Sequence, residues 1–502
     1  MRKSLFILVL LFSPTFVSAA AISPDALASR PREMLFASLR FSDRSWDEAA
    51  GLLGSPTPGE TNRHRTRESS WYALGLLMRH QTGDDARAVR ILRQVLAHQY
   101  AAHGQPWDGT FRRAPEEAMP STGAQLWRDF DPNWRQFIGI TFALILTEYE
   151  ARLPADLAPQ LLDAIRRAVE SELVQGRAEP YHTNIALLHG FLLGWAGQRL
   201  GRPEWVAQSE TWAEEIWTEF AHHETFDEYN SPTYYGVDLY GLALWRRYGT
   251  TGKIRAWGAE MESGLWRDIG RFYHAGLKNL SGPFDRAYGL DMRRYVSLTG
   301  VWMGLVLPEE LTPLPDSTKP MDHAHDFGFA PGFVLLGAQV PADVLEVFRE
   351  FKGERQLERK ITPERTATAW IGHDLMLGGE VTQRTRGAGP ETLYNQFVPA
   401  TAHWRIGSSD VGAFALIACP AVDARADAHG LSITTDRGDS TFRITATGIA
   451  ADRMSRDRWT LPNLSVEIST DATAIDVAER KGCWEVTYRS ATKLELRVSR
   501  IE

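Results

Sequence analysis

The chain of 502 residues carries 63 acidic and 55 basic side chains, a formal net charge of -8 and two cysteines. Its length exceeds the ~250 to 300 residues that a single hydrophobic core usually serves, so two or more domains are expected. The acidic balance argues against nucleic acid as a partner, and the absence of a CxxC pair argues against a cysteine zinc site.

Arg2 and Lys3 precede an apolar run from Leu5 to Phe12 and the small residues Val17-Ser18-Ala19-Ala20. Residues 1–20 therefore read as a secretory signal peptide, which implies a periplasmic or secreted protein. Its removal takes away two positive charges and leaves about -10. No later stretch reaches the ~18 to 20 apolar residues of a membrane helix, so no membrane partner is expected after signal removal.

From Trp71 to Leu305 the apolar positions recur at helical spacing, as in Ala88, Leu92, Val95 and Leu96 after Gly83-Asp84-Asp85. Helices are expected near 71–81, 84–100, 135–152, 155–174, 183–199, 205–222, 233–248, 253–276 and 291–306. Short joins such as Gly201-Arg202-Pro203 imply antiparallel pairs packed side by side. Pro308, Pro313, Pro315 and Pro320 then break the pattern, which places a linker over 308–325 between a helical domain, 21–307, and a β domain, 326–502. Strands are expected at Phe333 to Leu336, Thr366 to Ile371, Ala413 to Ile417, Phe442 to Thr447, Leu464 to Ile468 and Trp484 to Val498.

A run of helices followed by a run of strands means an α+β multidomain chain and not a βαβ fold. No GxGxxG or phosphate loop is present, and no nucleotide or other cofactor is expected. Cys419 and Cys483 either form a disulfide or remain two thiols.

Three segments concentrate polar and aromatic groups. In Asp227-Glu228-Tyr229-Asn230-Ser231-Pro232-Thr233-Tyr234-Tyr235, Ser231 and Pro232 suit the start of a helix, with both tyrosines in its first turn. Those tyrosines either transfer protons or pack the loop. Tyr181-His182-Thr183-Asn184 precedes an apolar helix, where Asn184 or Thr183 either caps the helix or donates to a substrate, with His182 as a candidate base. His189, further along that helix, reads as a core histidine.

Ser281 to Asp291 is a Gly- and Pro-containing loop in which Arg286 suits bidentate carboxylate binding and Tyr288 suits stacking or proton transfer, unless Asp285 and Arg286 form only a surface ion pair. In the β part, His403 beside Trp404 and Arg405 either reaches a cleft or pairs with a carbonyl. The run Asp322-His323-Ala324-His325-Asp326 offers nitrogen and oxygen ligands, but its linker position favours solvated charge, and no metal site is expected. The 17 tryptophans are mostly core, with Trp127 and Trp134 among the candidates for stacking on sugar rings.

On these residues the chain resembles the heparinase II/III and alginate lyase group of polysaccharide lyases. Asn184 sits at the start of an inner helix, and Ser231-Pro232-Thr233-Tyr234 is similar to the Ser-Pro-x-Tyr segment of that group. Ile185 and Tyr235 stand where the group often has His. The resemblance implies a distant member with an (α/α) toroid of helix pairs followed by an antiparallel β-sandwich. It further implies β-elimination at a uronic acid of a polysaccharide or oligosaccharide.

By that resemblance Asn184 and Arg286 neutralise the substrate carboxylate and Tyr234 transfers the proton, with His182, Tyr288 and His403 as alternatives for the remaining base or acid. Asn230, Tyr235, Trp127, Trp134, Arg293 and Trp404 are the candidate substrate-binding residues. Two rival readings are a glycoside hydrolase using a pair among Asp227, Glu228, Asp285 and Asp291, and a non-catalytic glycan-binding protein.

Overall fold

A computed structural model describes residues 22–55, 63–180, 183–389, 396–407 and 410–501. Among them are twelve α-helices: α1 (Ser29–Asp43), α2 (Thr66–Arg79), α3 (Asp84–Ala97), α4 (Trp134–Glu148), α5 (Leu157–Gln175), α6 (Thr183–Leu200), α7 (Pro203–His223), α8 (Tyr234–Tyr248), α9 (Gly252–Phe272), α10 (Leu298–Gly304), α11 (Ala330–Leu336) and α12 (Ala342–Arg349). No described helix is long and apolar enough to cross a membrane.

Two kinds of helix alternate along the chain. α3 buries Ala88, Ile91, Leu92 and Val95, a single stripe, and turns its other face to solvent. α4 is buried almost all round, and α2, α6 and α8 are buried over most of their length. The largely buried helices form an inner ring, α2 against α4, α4 against α6, α6 against α8 and α8 against α10. α11 packs on both α10 and α2 and brings the ring round on itself.

Because each inner helix is followed by an outer one running back, α2, α4, α6 and α8 all begin at the same end of the toroid. The connections 98–133, 176–180, 224–233 and 273–297 lie at that rim. Close approach inside the ring depends on small residues: a Cβ on Gly236 of α8 would lie 2.3 Å from the Leu298 Cβ of α10.

Eleven strands form one antiparallel sheet. Its path runs from Arg458–Leu461 through Leu464–Thr470, Cys483–Arg500, Gly430–Thr445, Asp410–Asp427, Ala400–Ile406, Leu375–Val381 and Thr366–Ile371 to Arg355–Lys360. The Phe414 and Trp459 rings lie 5.5 Å apart although their strands are four steps apart in this order. A flat sheet would separate them by ~19 Å at ~4.8 Å per strand. The sheet therefore folds over, and its long strands bend at register shifts near Leu416 and Thr434. The enclosed core holds Trp404, Phe414, Phe442, Trp459 and Tyr488.

The expected α+β order holds, with local differences. Phe333 to Leu336 is helical, not a strand, as part of α11, whose first turn carries Pro331. The helix expected over 291–306 is shorter, because Ser297 accepts the Gly300 N–H at 3.1 Å and starts α10 there. α1 and α12 were not expected. His323 and His325 do not sit in a solvated linker: the 3-10 turn Ala324–Phe329 packs on α2, with Asp326 buried. Cys419 and Cys483 are both free thiols.

Arginines of the β part hold the two regions together. Arg359 Nε donates to Asp268 of α9 at 2.8 Å, and Arg365 Nη2 to Asp285 at 3.0 Å while its Nε reaches Glu380 at 2.7 Å. The loop 281–288 also pairs with the sheet: Phe284 and Val398 exchange two backbone hydrogen bonds, at 3.1 and 2.9 Å.

Candidate functional site at the toroid rim

The site begins with Glu228, buried before α8. One carboxylate oxygen accepts from the Thr183 hydroxyl and the Asn184 backbone N–H at 3.1 Å and from the Asn184 side-chain amide at 2.5 Å. Glu228 thereby satisfies donors at the start of α6 and places its charge at the positive end of that helix. The other oxygen accepts from Arg286 Nη1 at 2.8 Å.

Arg286 joins Glu228 to Tyr234. Its Nη2 donates to the Tyr234 hydroxyl oxygen at 2.6 Å, and its guanidinium lies 3.7 Å from the centre of that ring. The Tyr234 hydroxyl also meets the Tyr288 hydroxyl at 2.5 Å. Arg286 has only donors, so the Tyr234 oxygen accepts there and its own proton is available to Tyr288. Tyr288 is 38% exposed and connects the network to solvent. Burial foremost, and Tyr288 next, raise the Tyr234 pKa well above its ordinary value, with Arg286 opposing, so the phenol is protonated at neutral pH.

Local structure fixes these positions. The Ser231 hydroxyl accepts the Tyr234 N–H at 3.1 Å and donates to the Arg286 carbonyl at 2.6 Å, which ties the start of α8 to the Arg286 loop. The Asn230 amide donates to the carbonyls of Ser281 and Pro283, at 2.6 and 2.8 Å. On the same loop Asp285 is held by Arg365 and Arg386. A cavity of ≈ 510 Å³ adjoins the network at Thr183 and Asp227.

Of the residues singled out in the sequence, Asn184, Arg286, Tyr234 and Tyr288 are brought into one hydrogen-bonded chain through Glu228. His182 lies outside the described residues. His403 is fully buried: its Nε2 donates to the Leu290 carbonyl at 2.7 Å, and burial pushes its pKa down to about 4. It supports the loop from beneath and is closed to substrate.

Four of the candidate binding residues are also closed. Asn230 is spent on the two carbonyls, and the Tyr235 hydroxyl donates to Asp268 at 2.9 Å inside the core. Trp404 sits in the β core with its indole N–H on the Pro462 carbonyl at 2.8 Å. Trp134 is buried under the Arg67 guanidinium, 5.0 Å from it. Trp127, partly exposed in the 98–133 connection, and Arg293, paired with Asp291 at 2.8 Å, remain accessible. His189 is core, edge-on to Trp212.

Asp238 escaped the sequence reading. It lies one helical turn below Tyr234, fully buried, and neither carboxyl oxygen has a hydrogen-bond partner among the described residues. Burial foremost, and the Glu228 charge next, raise its pKa well above the ordinary carboxyl value, with the Thr183 hydroxyl opposing. The i, i+4 spacing from Tyr234 was the available signal.

Fold and site define a helical toroid with a folded antiparallel sheet, and a carboxylate, arginine and tyrosine chain where the inner helices begin. Residues 32–338 match the family described as Domain of unknown function (DUF8769), and the chain belongs to that family. Residues 356–489 match Domain of unknown function (DUF8770). No curated protein matches the chain.

Among solved structures it is similar to heparinase III, at 9% identity and a TM-score of 0.44 over 95% of this chain and 85% of that one. It is also similar to the chondroitin AC lyase of Streptomyces coelicolor in complex with chondroitin sulphate, at 12% and 0.44 over 95% and 82%. The endoglucanase CelQ of Clostridium thermocellum follows at 9% and 0.29 over 95% and 93%. These similarities are too distant to bear on chemistry, which rests on the side chains.

Proposed function

We propose that the protein is a polysaccharide lyase that cleaves a uronic-acid-containing glycan by β-elimination in the periplasm or outside the cell. The observation that carries this reading is the Tyr234 hydroxyl, held between Arg286 and the solvent-facing Tyr288 and joined through Arg286 and Glu228 to Asn184. A proton beside a carboxylate becomes removable only when the enolate-like charge that develops is stabilised by fixed donors. Asn184 and Arg286 each keep N–H groups beyond those given to Glu228 and Tyr234, and these neutralise the substrate carboxylate.

Tyr234, protonated at rest, delivers its proton to the leaving oxygen, and Tyr288 connects it to solvent for reprotonation. Tyr288 and His182 are the candidates for the base. The hydrolase reading gains no support from the carboxylates it names. Glu228, Asp285 and Asp291 are each paired with arginine, and Asp227 stands 3.9 Å from Arg365.

The test is a screen of uronate-containing glycans with ultraviolet and reducing-end detection together, on the parent and on Tyr234→Phe and Asn184→Ala. The lyase produces an ultraviolet-absorbing unsaturated uronide. Tyr234→Phe is expected to lose at least ~100-fold in turnover with folding and substrate binding kept. Asn184→Ala is expected to lose turnover more than stability. Reducing ends without ultraviolet absorption, or full activity in Tyr234→Phe, would overturn the reading.

A further inference from the structure

We propose that His323, His325 and Asp326 bind one divalent transition-metal ion of the zinc type at the toroid rim beside Tyr288. One ligand atom from each of the three residues lies within 4.8 Å of the others. His325 Nε2 stands 3.4 Å from the Asp326 carboxylate. That separation is long for a hydrogen bond between charged groups and close to the ~3.3 Å edge of a tetrahedron with ~2.0 to 2.1 Å metal bonds.

The backbone gathers the ligands. His323 adopts a left-handed conformation, φ +52°, and the Asp326 N–H closes a turn onto the His323 carbonyl at 3.0 Å. The turn is anchored from outside, because the Val296 N–H bonds the Asp322 carbonyl at 2.9 Å. A non-glycine residue held left-handed by its surroundings marks a position where local geometry is fixed at some cost.

The charges around the cluster also suit a cation. Asp326 and Asp322 act on His323, and Glu68 of α2 acts on His325. Arg67, which acts on Asp326, is already paired with Glu68 at 2.7 Å. The second Glu68 oxygen is buried without a hydrogen-bond partner among the described residues.

Two imidazoles favour zinc and its neighbours over magnesium or calcium. Both rings are partly exposed, which gives an ion entry and leaves its fourth position to water or a ligand oxygen. The His323 ring lies 4.6 Å from the Tyr288 ring, which places the ion next to the tyrosine pair.

The full chain, tag-free and stripped with chelator, is titrated with Zn2+ alone by calorimetry and with Co2+ by visible absorption. One ion per chain and a tetrahedral Co2+ spectrum are expected. Loss of outer partners of a metal ligand already costs ~10 to 100-fold in affinity, so His323→Ala and His325→Ala are each expected to cost at least ~100-fold. Thermal unfolding of the chelated variants shows whether they fold. Absence of binding to the parent, or equal affinity in folded variants, overturns the site, and neither result depends on lyase activity.

Discussion

Two buried acids in neighbouring positions carry opposite burdens. Glu228 accepts from Thr183, Asn184 and Arg286 and orients that guanidinium, whereas neither Asp238 oxygen has a hydrogen-bond partner among the described residues, and burial foremost raises its pKa well above the ordinary carboxyl value, with Thr183 opposing. Because its folded pKa stands above that of the unfolded chain, Asp238 binds more protons folded than unfolded. Its stabilising contribution is complete below the unfolded value of ~3.9 and is lost as pH rises from there through the folded pKa. Asp238→Asn, which stays neutral at every pH, should flatten that slope and gain stability over the parent as pH increases. Thermal unfolding across a pH series checks this, and parallel curves for the two proteins would refute it.

Secondary-structure elements show which parts of the sequence were readable. Helices α2 to α9 follow from apolar spacing because outer helices bury one stripe and inner helices bury nearly all their faces. Phe333 to Leu336 misled because four apolar residues in a row fit both a strand and a buried helix. Tyr234 and Tyr235 were legible as a pair at a helix start, and adjacent helix positions point ~100° apart, so only one of them meets Arg286. The place of His403 was hidden, since a carbonyl 113 residues away in sequence occupies it. Asp238 could be found only by following the i, i+4 spacing from Tyr234 down an otherwise largely apolar helix.

Contact between elements was invisible as well: Gly236 reads as an ordinary helix glycine, yet it lets α10 lie against α8 at the site. Gly236→Ala should cost ~1 to 3 kcal/mol through overpacking, and urea unfolding measures it.

Over the whole molecule, the division into helical and β parts does not make two independent bodies. Arg355, Arg359, Arg365 and Arg386 all reach across from the β part, and Phe284 and Val398 pair their backbones. A single cooperative transition is therefore expected, with helical circular dichroism and the near-ultraviolet signal of Trp404 and Trp459 lost at the same temperature. Two separated transitions would show that the parts unfold independently.

That backbone pairing also has a meaning in time. The helices leave the ribosome before the strands, and domains fold in that order as the chain emerges. Arg286 belongs to the first part, but Val398, Arg365 and Arg386, which hold its loop, belong to the second. A half-made chain thus has the toroid and every catalytic candidate of the rim without their final alignment. For the lyase proposed above, alignment of the rim therefore waits for the last part of the chain to fold.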